Sequence, residues 1–151
     1  MEERLIHTAS PEQTQALGAA LAERLLADPT LPRFIALYGD LGVGKTAFVR
    51  GVASVLCPGA AVRSPTFALV HEYRGVLPMI HFDMYRITDE DDLYSIGYDD
   101  YLMRDAVILV EWSENVPYAL PDAYLSVRIE KDDPAQSESR SIFIKEVCAP
   151  C

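Results

Sequence analysis

The sequence predicts an α/β protein: one domain over residues 1–151, with a mixed, mainly parallel central sheet flanked by helices. Three observations lead there. Helical and strand patterns alternate along the chain. The patterns at 34–38 and 106–110 are short, unbroken apolar runs, as strands buried on both faces are. A glycine-rich loop joins the first of these runs directly to a helical pattern.

Length and composition set bounds. With 151 residues, half of them apolar and 24% charged, the chain can bury a real core. No apolar run reaches the roughly 18 residues of a membrane span. Met1-Glu2-Glu3-Arg4 has no secretory character, so the expectation is a cytoplasmic protein without membrane attachment. The net charge is −10, and the 13 Lys and Arg are scattered singly. Without a basic stripe to displace counterions, direct tight binding of DNA or RNA does not fit. Cys57, Cys148 and Cys151 make an odd count, unlike a disulfide framework. Cys148-Ala-Pro-Cys151 has C-x-x-C spacing but no second pair and no His nearby. Residues 148–151 are therefore expected to form a loose, reduced tail.

The elements follow in order. Ser10-Pro11-Glu12-Gln13 starts a helix, with Ser10 as N-cap, Pro11 at the first helical position and Gln13 closing a capping box. Leu17, Leu21 and Leu25 continue it as one apolar stripe to about Ala27, and Asp28-Pro29 ends it. Phe34–Tyr38 is a buried strand, Gly39–Gly44 a loop, and Lys45–Leu56 a helix stopped by Pro58-Gly59. Phe67–Tyr73 and Met79–Asp83 are strands around an Arg74-Gly75 turn, so a hairpin is expected. Thr88 can cap a helix whose first turn, Asp89-Glu90-Asp91-Asp92, suits the helix dipole, with Gly97 at its end. Ala106–Val110, Tyr124–Glu130 and Ser141–Val147 are strands, the last two joined by the polar stretch Lys131–Arg140.

Gly39-Asp40-Leu41-Gly42-Val43-Gly44-Lys45-Thr46 satisfies G-x-x-x-x-G-K-[ST]. Glycines let such a loop curl until backbone N–H groups point inward at phosphate oxygens. The helix that follows offers unsatisfied N–H groups and a positive dipole end to the same anion. Lys45 can reach the β- and γ-phosphates, and the Thr46 hydroxyl can ligate Mg²⁺. The set expected to touch nucleotide is Asp40, Gly42, Val43, Gly44, Lys45, Thr46 and Ala47. Asn115 is the single Asn and is followed by Val116-Pro117, so the N-K-x-D element of guanine readers is missing. ATP is the expected nucleotide.

Two strands end in an acid, Asp83 and Glu111. A P-loop enzyme needs one carboxylate on the Mg²⁺ side and one group to orient the attacking water. Strands beside the P-loop strand deliver both, and the residues alone leave open which acid serves the metal. Thr66, in Ser64-Pro65-Thr66, is either a γ-phosphate sensor or part of an ordinary Pro turn. Arg86 is equally open. Trp112 is core or a platform near the nucleotide. Tyr73, Tyr85, Tyr94, Tyr98 and Tyr101 suit core or rim better than base stacking. His7, His71 and His81 stand isolated and do not suit metal ligation.

With these residues in order, the chain resembles the bacterial TsaE (YjeE) ATPase family, which supports formation of threonylcarbamoyladenosine on tRNA. The P-loop, Ser64-Pro65-Thr66-Phe67, His81-Phe82-Asp83-Met84-Tyr85-Arg86, Ile96-Gly97-Tyr98-Asp99-Asp100-Tyr101-Leu102 and Glu111-Trp112 carry the resemblance, which covers about residues 5–147. It implies an ATPase that partners the TsaB–TsaD complex, resets it between cycles, and meets tRNA only through it. It also implies that Thr66 is switch-like, that Asp83 lies near the attacking water, that Glu111 is the Mg²⁺-side acid, and that Trp112 sits beside the site. Val43, Ala47 and Ser113 depart from the family's usual Ala, Thr and Pro.

Two other functions compete. A small P-loop kinase would need a lid with Arg to clamp the transferring phosphoryl, and Thr88–Tyr101 has four consecutive acids and no Arg. A non-hydrolysing, nucleotide-dependent scaffold would use the same cradle as a switch.

Overall fold

In a computed structural model of the protein, the described residues are 3–39, 44–62, 70–84, 87, 89–133 and 136–148. The elements are β1 (Arg4–Thr8), α1 (Pro11–Ala27), β2 (Phe34–Tyr38), α2 (Lys45–Leu56), β3 (Val70–Tyr73), β4 (Met79–Asp83), α3 (Glu90–Ser95), α4 (Tyr98–Leu102), β5 (Val107–Glu111), β6 (Ala123–Asp133) and β7 (Gln136–Cys148). Two single 3₁₀ turns, Ser113–Asn115 and Pro117–Ala119, lie between β5 and β6.

The strands form one mixed sheet in the order β1-β7-β6-β2-β5-β4-β3. Its centre, β6-β2-β5-β4, is parallel, and antiparallel strands complete both edges. Alternate residues of the central strands feed two apolar layers. Ile35, Leu37, Leu109, Leu125 and Val127 pack under α1 and α2, while Phe34, Ala36, Ile80, Phe82 and Val110 pack with Leu93 of α3 and Tyr98 of α4. The expected α/β class, with a mixed sheet between helices, is what the chain adopts.

The N-terminus of α1 forms as its residues dictate. The Gln13 N–H donates to Ser10 Oγ at 3.2 Å, and Gln13 Oε1 accepts from the Ala9 N–H at 2.7 Å. Leu21 and Leu25 are buried and Leu17 packs beside them. The helix then crosses α2 at two glycines. A Cβ on Gly18 would stand 2.2 Å from the Phe48 carbonyl oxygen, and one on Gly51 would stand 1.9 Å from that of Gln15. Backbone meets backbone there, and no side chain fits between.

Several details differ from the expectation. β1 carries no clear apolar alternation and is mostly exposed. It exists because β7 offers it an antiparallel edge, Arg4 opposite Ile144. The polar stretch Lys131–Arg140 continues the two strands rather than joining them: pairing runs out to Asp133 opposite Gln136, with an irregularity between Lys131 and Asp133. Backbone pairing of a hairpin arm needs no apolar face. The acidic helix begins at an N-cap Asp89, whose carboxylate accepts from the Asp92 N–H, and Thr88 lies outside the described residues. It ends at Ser95, and Gly97 at φ 75° turns the chain into a second short helix, α4. β5 begins at Val107, one residue later than Ala106, and ends in Glu111 as expected. At the other end of the chain, β7 takes Cys148 into the sheet and Cys148 is disulfide-bonded, where a loose, reduced thiol was expected.

Candidate functional site

β2 ends at Tyr38 and α2 begins at Lys45, so strand and helix bracket the glycine loop as the motif requires. Gly39 (φ 142°) and Gly44 (φ 108°, the N-cap of α2) hold conformations that side chains disfavour. Helix geometry leaves the first amides of α2, those of Lys45, Thr46 and Ala47, without intrahelical acceptors. The Phe48 N–H is the first to close back, onto Gly44 at 3.2 Å.

Lys45 is only 5% exposed. Its ammonium donates to the Gly39 carbonyl at 2.7 Å and stands 4.0 Å from the centroid of the Trp112 ring. A buried cation needs such partners, and both bind it reversibly, so a phosphate can replace them. Trp112 holds this place at a cost. At φ 61° it is the one non-glycine residue with positive φ among the described residues. Thr46 is half-buried, and among the described residues its hydroxyl makes no hydrogen bond.

The two acids come together in register. β4 and β5 are parallel neighbours with Asp83 opposite Glu111 at their C-terminal ends. Only β5 lies beside the P-loop strand; β4 stands one strand further out. The expectation that both acids flank the P-loop strand directly therefore holds for Glu111 and not for Asp83. Glu111 is buried and Asp83 half-buried.

His81, expected with His7 and His71 to stand isolated, does not. It is fully buried, and its Nε2 lies 2.5 Å from Glu111 Oε2. The signal available in the sequence was its spacing. His81 and Asp83 are two apart on one strand and so share a face. What no spacing supplies is the register that sets Glu111 against them.

Upstream of the loop, the Tyr38 phenol is pushed up to about 12, mainly by burial, with Tyr124 adding to it and Arg128 opposing. Tyr98 donates to the Ala119 carbonyl and is core, whereas Tyr94 is exposed. Of the expected site residues, the structure brings Gly44, Lys45, Thr46, Ala47, Asp83, Glu111 and Trp112 to the C-terminal edge of the parallel strands. Asp40, Gly42, Val43 and Thr66 lie outside the described residues, as do Ser64, Tyr85 and Arg86. No helix of the described residues is long and apolar enough to cross a membrane.

Residues 8–142 match the family model described as threonylcarbamoyl adenosine biosynthesis protein TsaE. The chain is 39% identical over 125 residues to the tRNA threonylcarbamoyladenosine biosynthesis protein TsaE of Bacillus subtilis, covering 82% of this chain and 75% of that protein. It is 36% identical over 132 residues to the protein of the same name from Nostoc, covering 85% and 78%. Among solved structures, that of Bacillus subtilis YdiB superposes with a TM-score of 0.76 at 30% identity, covering 98% of this chain and 87% of that one.

Proposed function

We propose that this chain, which belongs to the TsaE family of threonylcarbamoyl adenosine biosynthesis proteins, serves that tRNA modification by binding and hydrolysing ATP. The carrying observation is the buried Lys45 at the start of α2, beside a strand that ends in Glu111. A cation held in reserve by a carbonyl and a ring can be handed to the β- and γ-phosphates without opening the core. The amides at the start of α2, which have no intrahelical acceptors, add donors for the same oxygens.

The donors suit Mg²⁺. The Thr46 hydroxyl and the Glu111 carboxylate are hard oxygen ligands. Among the described residues no three His, Cys, Asp or Glu cluster to form a cage, which suits an ion held largely by phosphate and water. When bound, Mg²⁺ neutralises charge on the β- and γ-phosphate oxygens. Thr46 and Glu111 would hold it. Asp83 orients a water for in-line attack and accepts its proton as the new oxygen–phosphorus bond forms and the bond to ADP breaks. A chain this small has little to close over the site and exclude water, so turnover alone is slow.

Hydrolysis then resets the TsaB–TsaD complex in the cytoplasm, and tRNA is met through that complex rather than by this acidic chain. Phosphate release, measured with and without purified TsaB–TsaD at fixed salt, tests this reading. A rate that rises with the complex supports it. A complex that neither binds the chain nor changes the rate counts against it.

A further inference from the structure

We propose that His81 is a positioning residue for Glu111, fixing one carboxylate oxygen so that the other serves the Mg²⁺ side of the nucleotide. The inference rests on the ATP-binding reading above. Its geometry is specific. His81 is fully buried on β4, two residues before Asp83, and its Nε2 lies 2.5 Å from Glu111 Oε2 on the neighbouring strand. A carboxylate accepts, so Nε2 carries the hydrogen.

The pair is poorly explained as packing alone. The Nδ1 atom of His81 is buried and, among the described residues, has no hydrogen-bond partner, a cost that an apolar residue at this place would not carry. Among the described residues its single polar contact is Glu111. Glu111 in turn spends one oxygen on His81, and among the described residues the other makes no hydrogen bond. A buried pair kept for stability alone can usually be replaced by apolar residues at no loss. A carboxylate that must present one oxygen to a cation gains from a partner on the other, since such partners set ligand orientation and typically govern metal affinity by about 10–100-fold.

The test compares His81→Gln, whose amide places a donor near the Nε2 position, with His81→Asn, whose amide is too short to reach Glu111. ATP binding is titrated by calorimetry over a range of Mg²⁺ and again in EDTA. We expect His81→Asn to raise the Mg²⁺ concentration for half-maximal effect about tenfold or more, with binding in EDTA unchanged. His81→Gln should stay close to wild type. Equal Mg²⁺ dependence in all three proteins overturns the proposal, as does a loss in His81→Asn that is the same in EDTA.

A second measurement needs no variant and decides the matter if His81→Asn does not fold. In wild-type protein labelled with ¹⁵N-histidine, the Nε2 resonance of His81 should move when Mg²⁺ is added to the ATP complex. A resonance that stays still overturns the proposal. Failure of the two readings can be told apart. Wild-type protein that takes up no Mg·ATP removes the ATPase reading and this one with it, whereas wild-type binding with an unresponsive His81 removes this one alone.

Discussion

Replacing Gly51 by Ala tests how α2, and with it the P-loop, is seated on the rest of the molecule. An added Cβ would stand 1.9 Å from the Gln15 carbonyl oxygen, 2.8 Å from its carbon and 3.0 Å from the Ala19 nitrogen. Ordinary contact begins near 3.4 Å, so the helices must separate by roughly 1.5 Å at this crossing, since close-packed backbone leaves no slack. Overpacking of this kind costs about 1–3 kcal/mol, and backbone on both sides places it at the upper end. Alanine returns about 1 kcal/mol through helix propensity. A net loss of about 2 kcal/mol remains, or roughly 4–8 °C in Tm for a chain of this size. Thermal unfolding followed by circular dichroism measures it, with Gly18→Ala as the companion at the same crossing. The two losses should not add, because each opens the same gap. A Gly51→Ala protein as stable as wild type is the contrary result. It would mean that the close crossing of α1 and α2 is not what the glycines are for.

Further outcomes follow from the site. Asp83→Ala should leave Mg·ATP affinity within about threefold while turnover falls by about 10²–10⁴, the usual worth of a proton-accepting group; unchanged turnover would take Asp83 out of the mechanism. Trp112 is the single Trp and touches Lys45, so its fluorescence should change as Mg·ATP draws the ammonium away, and a silent signal at saturation would mean that Lys45 stays on the ring. Tyr38, at about 12 in the fold against about 10 unfolded, contributes stability that is complete below pH 10 and lost as pH rises from 10 towards 12. Tyr98, raised by burial, acts in the same direction. Tm should therefore fall over that range, less steeply in Tyr38→Phe; identical slopes would remove Tyr38 from the alkaline transition.

Much of this fold was legible because its signals are local. Phe34–Tyr38 and Val107–Glu111 are apolar on both faces, Ser10 caps α1 through its own side chain, and glycines bracket the loop ahead of Lys45. What escaped depends on partners distant in sequence. β1 is a strand only because β7 accepts it. The hairpin arm beyond Lys131 is held by cross-strand pairing without apolar pattern. The stop at Gly97 was legible, since glycine takes positive φ readily, but the short helix α4 that follows it, Tyr98–Leu102, was not. At the site, Lys45, Thr46, Asp83, Glu111 and Trp112 were legible as candidates from motif and strand ends. Their arrangement was not. That Asp83 stands opposite Glu111 but a strand away from the P-loop strand, and that His81 closes on Glu111, are facts of strand order and register.

The proposed function stands on Lys45 and the amides around it gripping a metal-bound triphosphate. Calorimetric titration of Mg·ATP into wild-type protein and into Lys45→Ala tests it most directly. We expect saturable uptake by the wild type and a loss of at least about tenfold in affinity in the variant, in line with a charge-assisted contact worth about 1.5–3 kcal/mol. Folded wild-type protein that takes up no Mg·ATP, or equal affinity in the two proteins, would contradict it.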